Sequence, residues 1–280
     1  MAGVRQELIK PILKWAGGKR QLLPLLKQYI PTAFDVYFEP FVGAGAVLFE
    51  LQPKEAVIND LNEQLMLTYK VIRDDVETLI ALLKEHEANN SLDYFYEIRA
   101  LDRNEKRFEK LSDAEKAARL IYLNKTCFNG LYRVNSKGEF NVPYGNYVRP
   151  LICEKDALRI VGKYLQQNDI DILAGDFADA VARAKAGDFV YFDPPYYSGD
   201  NTNFTSYQAE DFGAQAQERL RDVFKELAER GVKCLLSNSD TDFIRHLYSD
   251  FPTVTVEAAR TISSDIQGRG KVTEVLIRSW

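Results

Sequence analysis

The first sixty residues contain two short, mainly apolar runs, 36–39 and 56–58; Pro40 follows the first, and Asn59 and Asp60 follow the second. Short apolar runs that end at turn residues are typical of buried strands. A helix is expected after Gly18, and a second, short helix after the glycine loop around Gly43. This order predicts an α/β unit that resembles half of a doubly wound sheet.

A different period begins at Leu61 and continues to Lys125. Here apolar residues recur three and four positions apart, as on one face of a helix, and no clear strand interrupts them. The predicted helices cover 65–72, 76–86, 94–101 and 113–123. This stretch therefore predicts a helical insertion.

A β-hairpin is expected next. Segments 131–135 and 139–142 flank Ser136, Lys137 and Gly138, and this glycine can adopt the positive φ that a hairpin turn requires.

After residue 150 the alternation of strands and helices returns. The predicted strands are 171–173, 189–192, 232–236, 254–257 and 272–277, with a helix over 214–229. The predicted fold class is therefore α/β, a doubly wound sheet built by residues 1–60 and 150–280. An inserted helical and β-hairpin domain occupies residues 61–149.

Composition is that of a globular protein. With 280 residues, of which 46% are hydrophobic, the chain can bury a sizeable core. Its apolar runs are only a handful of residues long, so no membrane span is expected. Residues 1–10 mix charged and apolar side chains and lack the apolar core of a secretion signal, which predicts a cytoplasmic protein.

The formal net charge of -5 argues against sequence-independent coating of a polyanion, because such binding depends on Lys and Arg neutralising phosphates. Residues 119–149, however, carry five basic side chains and one acidic side chain. An acidic protein can therefore present one basic surface.

Three cysteines and two histidines limit the available chemistry. Cys127, Cys153 and Cys234 are widely separated, which gives neither a disulfide framework nor a C-x-x-C metal spacing, and we expect them to be buried. No metal site is expected, because zinc binding through His86 and His246 would need an unusual set of carboxylate ligands.

A glycine loop at 38–45 follows the first predicted strand and opens a helix, so its backbone can approach a ligand at the carboxyl end of the strand. Leu48 replaces the third glycine of the G-x-G-x-x-G fingerprint, which disfavours a dinucleotide. Asp60 closes the next strand, where its carboxylate could accept hydrogen bonds from both hydroxyls of a ribose. An ordinary glycine turn and a helix-capping aspartate explain the same residues equally well.

Asp193, Pro194, Pro195 and Tyr196 directly follow the apolar strand at 189–192. Two prolines remove two amide donors and stiffen the loop, so its carbonyls and the Asp193 carboxylate are free to accept from a substrate NH2. Tyr196 can stack on a planar base. The alternative is a rigid turn with a packing tyrosine.

This tetrapeptide resembles the [DNS]-P-P-[YFW] signature of amino-methyltransferases, and the chain more narrowly resembles the Dam-like DNA adenine-N6 methyltransferases (D12 class, GATC type). The resemblance covers nearly the whole chain. The matching segments, in family order, are Lys14-Trp15-Ala16-Gly17-Gly18-Lys19, 38–45, Asn59-Asp60, Asn129-Gly130-Leu131, 133–145, Gly175-Asp176-Phe177, Asp193 to Tyr196, Asn203-Phe204-Thr205 and Ile262-Ser263-Ser264.

The resemblance implies a methyltransferase sheet that uses S-adenosyl-L-methionine and releases S-adenosyl-L-homocysteine. It implies catalytic roles for Asp193, Pro194, Pro195 and Tyr196. The implied cofactor-binding residues are Trp15, Ala16, Gly17, Lys19, Phe41, Gly43, Gly45, Asp60, Asp176, Phe177 and Asp193.

The resemblance also implies double-stranded DNA as the partner, read by the inserted domain. The implied DNA-binding residues are Lys14, Phe128, Asn129, Leu131, Arg133, Asn135 and Pro143. Two residues depart from the Dam-type pattern: Asp265 stands where Asn is usual, and Phe128 where some members have Tyr. A bacterial or phage origin, and a restriction endonuclease encoded nearby, fit this family.

The resemblance implies methylation of N6 of adenine in GATC, and we expect the base to be flipped out of the duplex and the methyl group to be transferred directly. RNA adenine and protein glutamine methyltransferases are alternatives, although their loop more often begins with Asn. Cytosine C5 methylation would need a Pro-Cys nucleophile, which none of the cysteines provides. A catalytically silent nucleic-acid-binding module is disfavoured by the intact Asp193 and Tyr196.

Overall fold

The computed structural model describes residues 9–15, 17, 19, 22–197, 199, 212–259 and 271–280. For Ala258, Ala259, Lys271 and Val272 it describes the backbone. Several residues named above lie outside the described part of the chain: Ala16, Gly18, Asn203, Phe204, Thr205, Ile262, Ser263, Ser264 and Asp265.

Within the described residues, seven strands form one mixed sheet. They are β1 (Tyr37–Glu39), β2 (Glu55–Asp60), β3 (Asp169–Ala174), β4 (Phe189–Phe192), β5 (Lys233–Ser239), β6 (Thr253–Ala259) and β7 (Lys271–Arg278). Their order across the sheet is β3-β2-β1-β4-β5-β7-β6. β1 pairs in parallel with β2 and β4, and β4 with β5, whereas β7 runs antiparallel to β5 and β6.

The α-helices alternate with strands at both ends of the chain and follow one another in the middle. They are α1 (Leu23–Leu26), α2 (Ala46–Leu51), α3 (Glu63–Asp74), α4 (Val76–Asn89), α5 (Leu92–Arg99), α6 (Glu105–Glu109), α7 (Asp113–Thr126), α8 (Lys155–Gln167), α9 (Phe177–Val181), α10 (Ala214–Glu229) and α11 (Asp242–Leu247). Short 3-10 helices follow α5 at Ala100–Arg103 and α7 at Phe128–Gly130.

Contacts divide the chain into two units. The first contains Met1–Gly18, Gly43–Lys54 and Asp60–Ala174, and the second contains Lys19–Val42, Glu55–Asn59 and Gly175–Trp280. The proposed insertion at 61–149 falls entirely within the first unit.

Helix α7 is the core of the first unit. It begins with a capping box, in which the Ser112 hydroxyl accepts from the Glu115 amide while the Glu115 carboxylate accepts from the Ser112 amide. Most of its residues are buried, and it packs against α3, α4 and α5. The helices predicted for this stretch are therefore present and packed together, while their role as an inserted domain stays a prediction.

In the second unit, β4 is the most deeply buried strand, since all four of its residues are inaccessible to solvent. Strands buried on both faces read as continuous apolar runs, as Phe-Val-Tyr-Phe does here. Phe192 packs in a core that includes Leu236 of β5 and Phe224 of α10. This packing fixes the end of β4, from which the Asp193 loop begins.

Every strand predicted for the central sheet is present, with bounds that differ by a few residues, and the helix at 214–229 is confirmed as α10. Helix α8 was not predicted, although its buried Leu158, Val161 and Leu165 have helical spacing. The expected hairpin has its turn, with Gly138 at φ 76°, but one isolated antiparallel bridge, Val134 to Phe140, replaces regular strands.

Candidate active site

The Asp193 carboxylate is held by two side chains of the second unit. Its Oδ1 lies 2.8 Å from Nζ of Lys19 and accepts a hydrogen bond of 2.9 Å from Oγ of Ser237. Ser237 lies near the carboxyl end of β5, directly beside β4, so the two strand ends bring it to Asp193. The second oxygen, Oδ2, has no hydrogen-bond partner among the described residues.

Burial and charge act in opposite directions on this carboxyl group. Burial raises the pKa of Asp193 above its usual range, and the Lys19 ammonium and the Ser237 hydroxyl offset part of that rise. Ser237 is in turn hydrogen-bonded at 3.0 Å to the hydroxyl of the buried Tyr191. The result is a positioned acceptor whose open oxygen can take a hydrogen from a substrate amine.

Tyr196 is held from two sides. The Lys19 ammonium lies 4.4 Å from the centre of its ring, and its hydroxyl donates a 2.7 Å hydrogen bond to Oε2 of Glu274 on β7. Burial, followed by the nearby Asp193 charge, raises the pKa of Tyr196 well above its usual range, so the side chain stays a neutral phenol. A fixed neutral ring is suited to stacking on a base.

In the first unit, Asp60 is fixed by backbone amides. Its Oδ2 accepts from the Gly43 amide at 3.1 Å and its Oδ1 accepts from the Asn62 amide at 3.0 Å. Burial raises the pKa of Asp60, and these backbone hydrogen bonds partly offset the rise. A third backbone amide, that of Leu61, also lowers this pKa by hydrogen bonding, and a carboxylate has about four lone-pair sites, so Asp60 can still accept from a ligand hydroxyl.

Trp15 lies against the glycine loop of the same unit. A Cβ at Gly43, whose φ is 49°, would come within 3.0 Å of the Trp15 ring, so this position requires glycine. The Tyr132 ring stacks on the Trp15 indole, with 5.1 Å between the two ring centroids. Asp60, Gly43 and Trp15 are thus joined by direct contacts.

Phe41 and Phe177, both predicted to bind cofactor, stack at 5.4 Å in the second unit. Phe212 contacts both of them edge-on. Asp176 caps α9 through the Ala178 amide, and both of its oxygens also bind the Arg219 guanidinium, which lowers the pKa of Asp176. Its predicted contact with the cofactor stays a prediction.

The residues predicted to bind DNA all lie in the first unit, and most are at the surface. Those that are exposed are Lys14, Phe128, Asn129, Arg133 and Pro143. The Arg133 guanidinium donates a 2.7 Å hydrogen bond to Asn141 across the hairpin. Asn135 is used within the turn, where Oδ1 accepts from the amides of Lys137 and Glu139.

Side chains from the end of α5 and the following 3-10 helix support the hairpin. The Phe140 amide donates to Asp102, and its carbonyl accepts from Arg103, while Arg99 donates to the Val142 carbonyl. Asp102 also pairs at 2.7 Å with the buried Arg119. These side chains satisfy backbone groups that a regular partner strand would otherwise bind, which explains the isolated bridge.

Several residues at these sites were not found from the sequence. They are Ser237, Glu274, Tyr191, Tyr132 and Phe212. A signal existed for Ser237, because a polar run follows the apolar residues of β5 at the end where parallel strands carry ligands.

A family model for D12 class N6 adenine-specific DNA methyltransferases matches residues 15–262. The chain belongs to this family. D12-class enzymes transfer a methyl group to adenine in DNA, so the chain is an adenine-specific DNA methyltransferase, and methyltransferases of this kind generally use S-adenosyl-L-methionine. The resemblance inferred from the motifs is confirmed.

Relatives of this D12-class chain match over nearly their full length. A type II methyltransferase of Lactococcus lactis subsp. cremoris is 46% identical over 273 residues, covering 97% of this chain and 96% of the relative. A type II methyltransferase of Methanocaldococcus jannaschii is 43% identical, covering 91% and 93%. A DNA adenine methylase of Serratia marcescens is 36% identical, covering 95% and 97%.

None of the helices described for this D12-class enzyme is both long and apolar enough to cross a membrane. Within the same residues, no cluster of three or more His, Cys, Asp or Glu side chains could hold a metal ion. Cys127 and Cys234 are buried and Cys153 partly so, and burial raises the pKa of the Cys127 thiol to about 11. A thiol with such a pKa is a poor nucleophile at neutral pH.

Proposed function

We propose that this enzyme methylates N6 of adenine in GATC duplexes, with the target base flipped out of the helix and the methyl group transferred directly. The observation that carries the proposal is the Asp193 carboxylate, held at Oδ1 by Lys19 and Ser237 with Oδ2 open. Such a group can accept a hydrogen from an exocyclic amine without any covalent intermediate.

The amine of adenine is a poor nucleophile because its lone pair is delocalised into the ring. Oδ2 of Asp193 and the carbonyl of Pro194 each accept one N6 hydrogen, which turns the lone pair out of the ring plane and stabilises positive charge that develops on nitrogen. Flipping the base costs roughly a few kcal/mol of stacking and pairing energy, and stacking of Tyr196 on the flipped base offsets part of this cost. After transfer, N6 carries the methyl group, two hydrogens and a positive charge, and it becomes neutral by releasing one of those hydrogens as a proton to solvent.

Bound S-adenosyl-L-methionine supplies the electrophilic methyl group, and S-adenosyl-L-homocysteine is released. Each unit has side chains that suit part of such a molecule. In the first unit, the Asp60 carboxylate can accept a hydrogen bond from a ribose hydroxyl. In the second unit, Phe41, a partly buried ring stacked on Phe177, suits contact with an adenine. We assign further binding contacts to Trp15, Gly17, Lys19, Gly43, Gly45, Asp176 and the carboxylate of Asp193. We also assign Ala16 to cofactor binding, from its place in the motif Lys14 to Lys19.

Recognition of DNA is assigned to the exposed hairpin and to the segment that precedes it. Arg133 reads a guanine, Leu131 and Pro143 meet a thymine methyl group, and Phe128, which is 50% exposed, fills the space that the flipped base leaves. Lys14, Asn129 and Asn135 contribute polar contacts to bases or phosphates. The Serratia relative is named a DNA adenine methylase, which supports adenine in DNA as the substrate.

Sequencing of DNA modified by the purified enzyme tests this proposal, because it yields both the modified atom and the recognition site. N6-methyladenine confined to GATC is the expected result, and modification at another sequence would overturn the site assignment. Two relatives are named type II methyltransferases, so the proposal includes a cognate restriction endonuclease. Sequencing of the neighbouring genes tests that part separately.

A further inference from the structure

Two polar side chains behind the Asp193 loop are completely buried. Gln217 of α10 and Asn238 of β5 have no exposed surface, and their amides bind each other, with Nδ2 of Asn238 donating to Oε1 of Gln217 at 2.9 Å. Burying two amides is costly unless their hydrogen-bonding groups are satisfied. Their remaining groups bind the backbone of the loop.

Gln217 binds one backbone carbonyl of the loop that contains Asp193 to Tyr197. Its Nε2 donates a 2.9 Å hydrogen bond to the carbonyl of Pro195. Pro194 and Pro195 have no amide hydrogen, so in this part of the loop the carbonyls are the groups that can bind. The carbonyl of Pro194 has no hydrogen-bond partner among the described residues.

Asn238 and Ser239 hold the other end of the loop. Oδ1 of Asn238 accepts from the Tyr197 amide at 3.2 Å, and the Ser239 hydroxyl donates to the Tyr197 carbonyl at 2.6 Å. The loop is therefore fixed at Pro195 and at Tyr197, on both sides of Tyr196.

We propose that Gln217 and Asn238 are positioning residues for methyl transfer. By binding the Pro195 carbonyl and the Tyr197 amide, they set the loop so that the Pro194 carbonyl is the backbone acceptor for the adenine amine. The inference rests on the proposed function, since it concerns the same amine. Neither side chain touches the reacting atoms; both act through the loop.

The test compares Gln217→Met with Gln215→Met. Gln215 lies on the same helix but is exposed, so it controls for the substitution itself. Gln217→Met is expected to lower the single-turnover rate, on a duplex that the wild type methylates, by about tenfold or more, because misplacing a reacting group is costly. The affinity for S-adenosyl-L-methionine, measured by calorimetry, should stay within about threefold. Gln215→Met should change neither quantity.

A Gln217→Met rate within about twofold of wild type, in a folded protein, would overturn the inference. So would an equal loss of rate and of cofactor affinity, which indicates a general packing defect. If wild-type enzyme fails to methylate any adenine, the proposed function fails instead, and the two failures are thereby distinguished.

A second variant covers the case in which Gln217→Met does not fold. Asn238→Asp keeps the acceptor for the Tyr197 amide but loses the donor to Gln217, and a smaller loss of rate with unchanged cofactor affinity is expected. Hydrogen exchange provides a readout independent of catalysis: the Tyr197 amide should be protected in the wild type and exchange faster in Asn238→Leu. A Tyr197 amide that exchanges in the wild type at the rate of an unstructured peptide would overturn the proposal without any variant.

Discussion

Lys19 and Asp193 form a largely buried ion pair, with the ammonium 2.8 Å from Oδ1 and side chains only 7% and 17% exposed. The same ammonium lies over the Tyr196 ring. One cation therefore contacts both the proposed acceptor and the proposed stacking residue. The open oxygen of Asp193 follows from this arrangement, because Lys19 and Ser237 both bind the other one.

Replacing Asp193 with Ala should lower turnover by at least about a hundredfold, since an acceptor that acts mainly in the transition state is lost. Cofactor and DNA affinity should stay within about tenfold. Turnover and both dissociation constants check this. Near-normal turnover would remove Asp193 from the mechanism, whereas a loss of cofactor affinity with unchanged turnover at saturating cofactor would leave it as a cofactor contact only.

Lys19→Met should shift the acid limb of the pH–rate profile to higher pH. The pKa of Asp193 is raised by burial and lowered by Lys19, so removal of the cation raises it further. The ionised carboxylate is the acceptor, and its fraction falls as the pH falls through the pKa of the folded enzyme. Single-turnover rates measured across pH test this, with Lys19→Arg as the charge-retaining control. An unmoved acid limb would show that another group controls it.

Asp60→Ala should weaken cofactor binding by about 1.5 to 3 kcal/mol, because two hydroxyls would lose a charged acceptor. DNA affinity should change little. Calorimetric titration measures the effect, and circular dichroism must show a folded variant, since the Gly43 and Asn62 amides also lose their partner. Unchanged cofactor affinity in a folded variant contradicts the assignment to ribose.

Tyr132→Ala should weaken cofactor binding although Tyr132 belongs to the first segment of the proposed DNA-reading hairpin. Its ring stacks on Trp15, which in turn lies against Gly43. Loss of one aromatic pair corresponds to about 0.5 to 1.5 kcal/mol. Tyr132→Phe keeps the ring and should bind cofactor like the wild type; equal weakening in both variants would mean that the hydroxyl, not the stack, matters.

The order of strands and helices could be predicted because apolar runs and helical spacing are local signals. The fully buried β4 and the amphipathic α10 were predicted at their observed bounds. The 131–142 region could not be predicted in detail, because its geometry depends on Asp102 and Arg103, distant in sequence, which satisfy the backbone of Phe140.

The residues of the candidate site also fall into those that the sequence could predict and those that it could not. Asp193, Asp60 and Tyr196 follow strands in motifs that can be read along the chain. Ser237, Gln217 and Glu274 act through contacts between segments tens of residues apart in the sequence. Periodicity carries no information on such pairings, and the polar run that ends β5 was the one local indication of them.

Arg133→Ala distinguishes base reading from phosphate contact. Arg133 is exposed, and its Nε donates to Asn141 at 2.7 Å, so the hairpin itself orients the guanidinium. An oriented guanidinium can pair bidentately with O6 and N7 of guanine, a contact worth about 1 to 3 kcal/mol of discrimination.

If Arg133 reads guanine, Arg133→Ala should lower the rate on GATC far more than on duplexes altered at one guanine position. If it contacts phosphate, the rate should fall uniformly and the salt slope should shrink by about 1. Rates on GATC and on every single-base variant, at several salt concentrations, separate these outcomes, with Arg159→Ala on helix α8 as an exposed-arginine control. A uniform loss in Arg133→Ala would reassign this residue to the DNA backbone, and a wild-type enzyme indifferent to changes in GATC would refute the recognition sequence itself.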